Sequence, residues 1–258
     1  MDAHTKKILW ALLAFVVLVP VVILLYSQVK NADEVRTSNA TMRSSKPTTT
    51  FAPEGSADMA EQASASAFQT KNFDGISISV PKTWRVFGEN DTQSLNTNSE
   101  ALGESLGIVA DQGDNTILWA ANAHDDENVT RATMRLSVRM AATVGQAELR
   151  EAATAQLQEE VEREIMSAAE ETAVAMRKIP STAYYNVTGV GLRDNGAIIC
   201  TWIRAEYDRG RGSTTSDMWI CPASDRTFKL TTSYSNSREA LYAATIQHTW
   251  RSLLPRLS

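Results

Sequence analysis

Cys200 and Cys221 are the only cysteines in this 258-residue chain, and such a pair can be a redox centre, part of a metal site or a staple. Redox exchange works best at C-x-x-C spacing, where each thiol tunes the other. Zinc asks for four ligands, with further Cys or His close by. Neither requirement is met, since 20 residues separate the two cysteines and no histidine flanks them. If Ala197 to Tyr207 and Ser216 to Pro222 form a hairpin turning at Gly210 and Arg211, positions whose numbers add to 421 face one another. Cys200 and Cys221 satisfy that rule. Opposed residues of antiparallel strands have Cβ atoms ~4.5–5.5 Å apart, close enough for a disulfide after slight adjustment. A structural bridge is therefore expected, with two free thiols as the alternative.

The same rule pairs Trp202 with Trp219 on the face that carries the cysteines. Two readings stand: core packing beside the disulfide, or an aromatic groove for a ligand. Arg209 and Arg211 lie in the connecting "RGRG" turn, where they are solvated or touch anionic groups. Trp202, Trp219, Arg209 and Arg211 form the candidate interaction surface.

Other residues match catalytic or metal patterns only in part. "GESLG", Gly103 to Gly107, has the form of a nucleophile elbow around Ser105, and His248 follows in the right chain order. An elbow needs a buried strand before the serine and a parallel sheet around it. The preceding "NTNSEAL" is polar and no β-α-β repeat follows, so a loop serine is the ordinary reading. Three histidines are present, His4, His124 and His248. "HDDE", His124 to Glu127, gathers possible ligands in a hairpin turn, but neighbouring strand residues point apart and argue against a tight site. His248 falls on a helix, partly buried. No catalytic, cofactor or metal site is assigned.

The elements that must position these residues are legible from periodicity. "GISISVPKTWRVF" reads as two short strands turning at Pro81 and Lys82, and "NTILWAANAHDD" with "ATMRLSVRMA" as another pair. Gln146 to Lys178 has helical period, with Leu149, Ala153, Leu157, Val161, Ile165 and Ala169 on one stripe. Its other faces carry Glu148, Glu151, Glu159, Glu160, Glu162, Glu164, Glu170 and Glu171, which reads as a solvated face, not a cation site. Pro180 ends the helix. Strands over Ala183 to Leu192, Ala197 to Tyr207, Ser216 to Ile220 and Thr227 to Tyr234 follow. "SREALYAATIQHTWRSLL" closes the chain as a helix with Ser237 as its expected N-cap. Strands, helix, meander and helix make an α+β domain on a mainly antiparallel sheet.

That domain occupies 68–258. Before it, Ile8 to Tyr26 is an uncharged apolar run of about bilayer length as a helix, with Pro20 inside it. It reads as a transmembrane anchor. A cleaved signal peptide is the rival, but the run exceeds the usual h-region and "SQVKNADEV" offers no small-x-small cleavage site. Lys6 and Lys7 keep residues 1–7 cytoplasmic and send the remainder outward. Residues 27–67 are rich in Ser, Thr, Ala and charge, and read as a flexible linker. Setting Lys6, Lys7, Lys30 and Asp2 aside, 22 basic and 29 acidic residues remain, a net of −7 that disfavours nucleic acid as a partner.

The opening "ISISVPKTWRV", the long mid-chain helix, the meander and the closing "FKLTTSYSNSREALYAATIQHTWRSL" resemble the Mog1/PsbP-like family. The resemblance implies an α/β/α sandwich over roughly Phe68 to Leu254. Members of that family include photosystem accessory subunits, nuclear-transport cofactors and bacterial envelope proteins, so it supplies no catalytic motif. The expectation is a protein of the bacterial inner membrane, anchored in the lipid bilayer through 8–26. Its extracytoplasmic domain is expected to act without catalysis or cofactor, on a protein partner of the cell envelope. A small-ligand or lipid-binding module is the alternative, and a hydrolase using Ser105 the remote one.

Overall fold

The computed structural model describes residues 67–96, 115–139, 144–154, 157–177, 182–208, 210, 212–223 and 225–255. The run 8–26 and the segment up to residue 66 lie outside them. Among the described residues no helix is long and apolar enough to cross a membrane.

Two antiparallel sheets organise the domain. β1 (Phe68–Phe73) folds back on β2 (Ile76–Pro81) around Gly75, whose φ of +85° suits a residue without Cβ. β10 (Leu254–Pro255) pairs with the other edge of β2. The second sheet has seven strands in the order β3-β4-β5-β9-β8-β7-β6. They are β3 (Arg85–Val86), β4 (Asn115–His124), β5 (Thr130–Arg139), β6 (Tyr184–Asp194), β7 (Ile199–Asp208), β8 (Ser213–Ala223) and β9 (Arg226–Ser235). The sheet is a meander of hairpins apart from the connection between β5 and β6, which runs to the far edge, so that β9 returns to pair with β5.

Strand alternation divides the side chains between two faces. One face carries Trp119, Ala121, Met134, Leu136, Leu230, Trp219 and Cys200. It is covered by Ile76, Ile78 and Val80 of the small sheet and by Tyr242, Ile246 and Trp250 of the closing helix. Under α3 (Gln158–Arg177), the other face carries Ile203, Met218 and Ile220, packed against Val161, Ile165 and Ala169. α2 (Gln146–Ala152) sets Leu149 against Ile199. A short helix, α1, over residues 89–96 buries Leu95 against Ile117 and Ala120.

Three local expectations are corrected. The segment from Ile76 to Phe87 contributes strands to different sheets, because Ile76–Pro81 finds its partner upstream in β1 while Arg85–Val86 joins β4. The helix expected over Gln146 to Lys178 is two helices, broken after Ala152. No glycine or proline lies at the break, so tertiary packing overrides propensity there: α2 docks at the end of β7 and α3 along β6. Ala153 is accordingly exposed instead of joining the stripe. Ser237 is not the N-cap of the closing helix α4 (Glu239–Arg251). It sits inside a 3₁₀ turn, Asn236–Arg238, with its hydroxyl 2.9 Å from that of Ser235.

Candidate functional site

The β7–β8 hairpin has the expected register. Thr201 faces Ile220 and Trp202 faces Trp219, every pair adding to 421. Cys200 and Cys221 continue the series with a Cα–Cα distance of 4.3 Å, near the ~4.5 Å of non-hydrogen-bonded antiparallel pairs, and are joined by a disulfide. Both are wholly buried. One step further, Ile199 and Pro222 cannot close the ladder, because Pro222 has no N–H to donate. The Gln146 side chain completes it. Its Nε2 donates to the carbonyls of Ile199 at 2.9 Å and Pro222 at 2.7 Å, and its Oε1 accepts from Ile199 N–H at 2.8 Å.

The two tryptophans have different fates. Trp219 is 1% exposed and stacks on Trp250, with centroids 5.6 Å apart and planes 12° from parallel. Its ring is core and offers no interaction surface. Trp202 is half-buried at the margin of that core and is fixed on several sides. Its Nε1 donates to Asp217 Oδ1 at 2.9 Å, and the Arg193 guanidinium lies over the ring, 4.3 Å from its centroid. Arg204 approaches the ring at 5.4 Å. The ring also reaches across β6 at Gly189, where a Cβ would stand 2.8 Å from Trp202 Cη2. Glycine is required there by contact, not by backbone conformation.

Asp217 holds the group together. At 1% exposure its carboxylate accepts from Trp202 and takes a two-pronged bond from Arg204, Nε to Oδ1 at 2.8 Å and Nη2 to Oδ2 at 2.9 Å. That bond pushes the Arg204 pKa further up, against burial, which opposes it. Beside it, burial raises the pKa of the Tyr234 phenol, whose oxygen lies 3.5 Å from Glu239. The result is a rigid platform at the β6–β7 end of the sheet: an indole pinned at its nitrogen, one arginine stacked on it and exposed, a second locked onto a buried carboxylate. Cation over ring and planar guanidinium on carboxylate both fix orientation. Such a surface can engage carboxylate and apolar groups together.

Arg209 and Arg211, expected on the same surface, lie outside the described residues, as does Ser105. His248 stacks on Phe68, with centroids 3.9 Å apart. His124 Nε2 is 3.1 Å from the Thr130 hydroxyl. In the "HDDE" turn Asp125 is a loop latch: its carboxylate accepts from Val129 N–H at 2.9 Å, Glu127 N–H at 3.1 Å and Arg131 Nε at 2.6 Å. Those bonds, the Val129 one foremost, lower its pKa. No group of three or more His, Cys, Asp or Glu able to hold a metal occurs among the described residues.

Arg193, Arg204 and Asp217 were not among the residues read from sequence. The pairing rule that joined the cysteines contains the last two, since 204 and 217 also add to 421. Arg193 follows a second register, that of the β6–β7 hairpin, in which it faces Cys200 and Gly191 faces Trp202, and the β7–β8 rule does not contain it.

The chain matches no protein-family model and no curated protein. Among solved structures it is similar to cyanobacterial PsbP (CyanoP) from Synechocystis sp. PCC 6803, at 10% identity and a TM-score of 0.44, covering 80% of this chain and 100% of that one. It is also similar to LpqN of Mycobacterium tuberculosis, described as involved in cell envelope biogenesis, at 11% identity and 0.39, covering 76% and 95%. A third likeness, to a Bacteroides thetaiotaomicron protein at 12% identity and 0.36, covers 71% of this chain and 46% of that one, so the chain spans about half its length.

Proposed function

We propose that this chain is a non-catalytic interaction module of the bacterial cell envelope, whose Trp202 platform docks a partner protein. The observation that carries the reading is the platform itself. Tryptophan and arginine are the residues most often found as interface anchors, and anchors work best when held in place before binding. Here Asp217 and Gly189 hold the ring, the disulfide clamps the strands beneath it, and Arg193 remains exposed. The partner chemistry that fits is a carboxylate set beside an apolar or aromatic side chain.

The location belongs to the same proposal. The apolar run 8–26 with Lys6 and Lys7 before it supports a single-pass inner-membrane anchor with the domain outside, and a disulfide suits that oxidising compartment. Helices on both faces of an antiparallel sheet support an α/β/α sandwich of the Mog1/PsbP-like kind. Two measurements test the proposal. Protease added to spheroplasts is expected to remove the domain, and a protected domain overturns the topology. A photocrosslinking residue at Arg193 in intact membranes is expected to give one discrete protein adduct, while the same residue at Glu151 on α2 gives none. Equal adducts from both positions, or no adduct from Arg193, overturn the docking role.

A further inference from the structure

The sheet face beneath α3 changes chemistry halfway across. Over β6, β7 and β8 it is apolar. Over β5 and β9 the side chains on that face are Thr133, Arg135, Ser137 and Arg139, and Thr227, Lys229, Thr231 and Ser233. Such alternation ordinarily marks a solvent-facing side. Here the middle of the face is instead buried: Lys229 and Ser137 are 1% exposed and Arg135 5%, while Thr133, Arg139 and Thr231 are partly exposed.

Register gathers four of them into a square. Ser137 faces Lys229, and Arg135 faces Thr231 on the adjacent same-face row. Lys229 Nζ, Ser137 Oγ and Thr231 Oγ1 are buried and make no hydrogen bond. An ammonium has three donors and no acceptor, and neither hydroxyl oxygen takes one of them, so the square leaves those donors unmatched at one place. The charged residue acting on Lys229 is Arg135, of the same sign, and burial first and Arg135 second hold the amine's pKa well below its usual value. A group with several oxygen acceptors and a negative charge answers both features at once: it bonds the donors and offsets the charge of Lys229.

We propose that Lys229, Ser137, Thr231 and Arg135 form a buried binding site for a small oxyanion or carboxylate. Lys229 is its charged donor and the two hydroxyls orient the anion. The site lies on the opposite sheet face from Trp202 and does not depend on the docking role of that platform. Because Lys229 is buried, the anion enters through local opening of the domain.

The test uses the full chain in detergent at pH 8, with inorganic phosphate, sulfate or acetate against chloride at equal ionic strength. At least one oxygen-bearing anion is expected to bind saturably at one site per chain, and to raise Tm by ~5–10 °C at about 100 times its Kd. Lys229→Met keeps the side-chain length and removes the charge, and is expected to weaken binding at least tenfold and abolish the Tm response. The two sources of the chemistry separate by arm: a response to phosphate and sulfate alone marks an oxyanion, one to acetate marks a carboxylate. Should the variant fail to fold, the Cε and Nζ resonances of Lys229 in the unaltered chain decide, since they are expected to shift, with the amine's pKa rising, as the anion saturates. No response beyond chloride, equal binding by Lys229→Met, or resonances that do not move overturn the proposal.

Discussion

Replacing Gly189 by alanine asks how rigidly Trp202 is held. The added Cβ would stand 2.8 Å from Trp202 Cη2 and 3.1 Å from Cζ3. Carbon atoms pack best at ~3.5–4.0 Å, so ring or strand must retreat by roughly 0.7 Å. The ring has little room to do so, with Nε1 tied to Asp217 at 2.9 Å and the Arg193 guanidinium over it at 4.3 Å. Overpacking of this kind costs ~1–3 kcal/mol, while removing a strand glycine returns ~0.5–1 kcal/mol. Gly189→Ala should therefore lose up to about 2.5 kcal/mol net, read as a lower urea midpoint at unchanged m. In a Trp202→Ala background only the gain remains, so the same substitution should be neutral or stabilising. The double-mutant cycle should yield a coupling of ~1–3 kcal/mol. A coupling under ~0.5 kcal/mol would show that Trp202 is free to move and that the platform is not preorganised.

Three further outcomes follow from the same geometry. The disulfide spans a sequence separation of 21, so loop entropy gives it about 3 kcal/mol; Cys200→Ala with Cys221→Ala should lower Tm by ~6–12 °C, and a loss under ~2 °C would refute the staple. Gln146→Ala strips the Ile199 N–H and two carbonyls of their partners and should cost ~1–3 kcal/mol, with faster amide exchange at Ile199 as its signature; unchanged Ile199 protection would refute that role. Lys229 has a depressed pKa in the folded chain, so the unfolded chain binds more protons between that value and about 10.4, and without a bound anion stability should rise with pH across that window. Lys229→Met should flatten that slope in chemical denaturation, and an identical slope in both proteins would refute it.

What the sequence reveals here is local. Each strand of the meander shows its period, and one turn centred near Gly210 is enough to set the register that joins Cys200 to Cys221 and Trp202 to Trp219. The same register also holds Arg204 opposite Asp217, a salt bridge that charge complementarity could have exposed. Contacts that depend on distant segments are not legible in this way. Nothing in "FQTKNF" announces that it will pair with Ile76–Pro81 in a second sheet, and a helical stripe continuous from Leu149 to Ala169 does not reveal that it breaks to follow two strands. Lys229 shows the limit most clearly, because "FKLTTSYS" alternates like a half-exposed strand and its polar side is buried by what packs over it, not by its own sequence.

The Arg204–Asp217 pair bears on the docking role proposed for this end of the domain. A carboxylate at 1% exposure is costly to desolvate, and buried ion pairs can often be replaced by apolar residues of similar size with stability kept or improved. Asp217 does two things a leucine could not: it accepts the Trp202 N–H and fixes the plane of Arg204. If orientation is its purpose, stability and binding should separate. Asp217→Leu combined with Arg204→Met should leave the urea midpoint level or higher, while Asp217→Leu alone, which strands the partly buried guanidinium, should lower stability by up to about 3 kcal/mol. The double variant should nonetheless lose the adduct expected from a photocrosslinker at Arg193, because the indole beneath that position is no longer pinned. A double variant as unstable as the single one, with its crosslinking intact, would assign the pair to holding the sheet together and leave the platform without its proposed use.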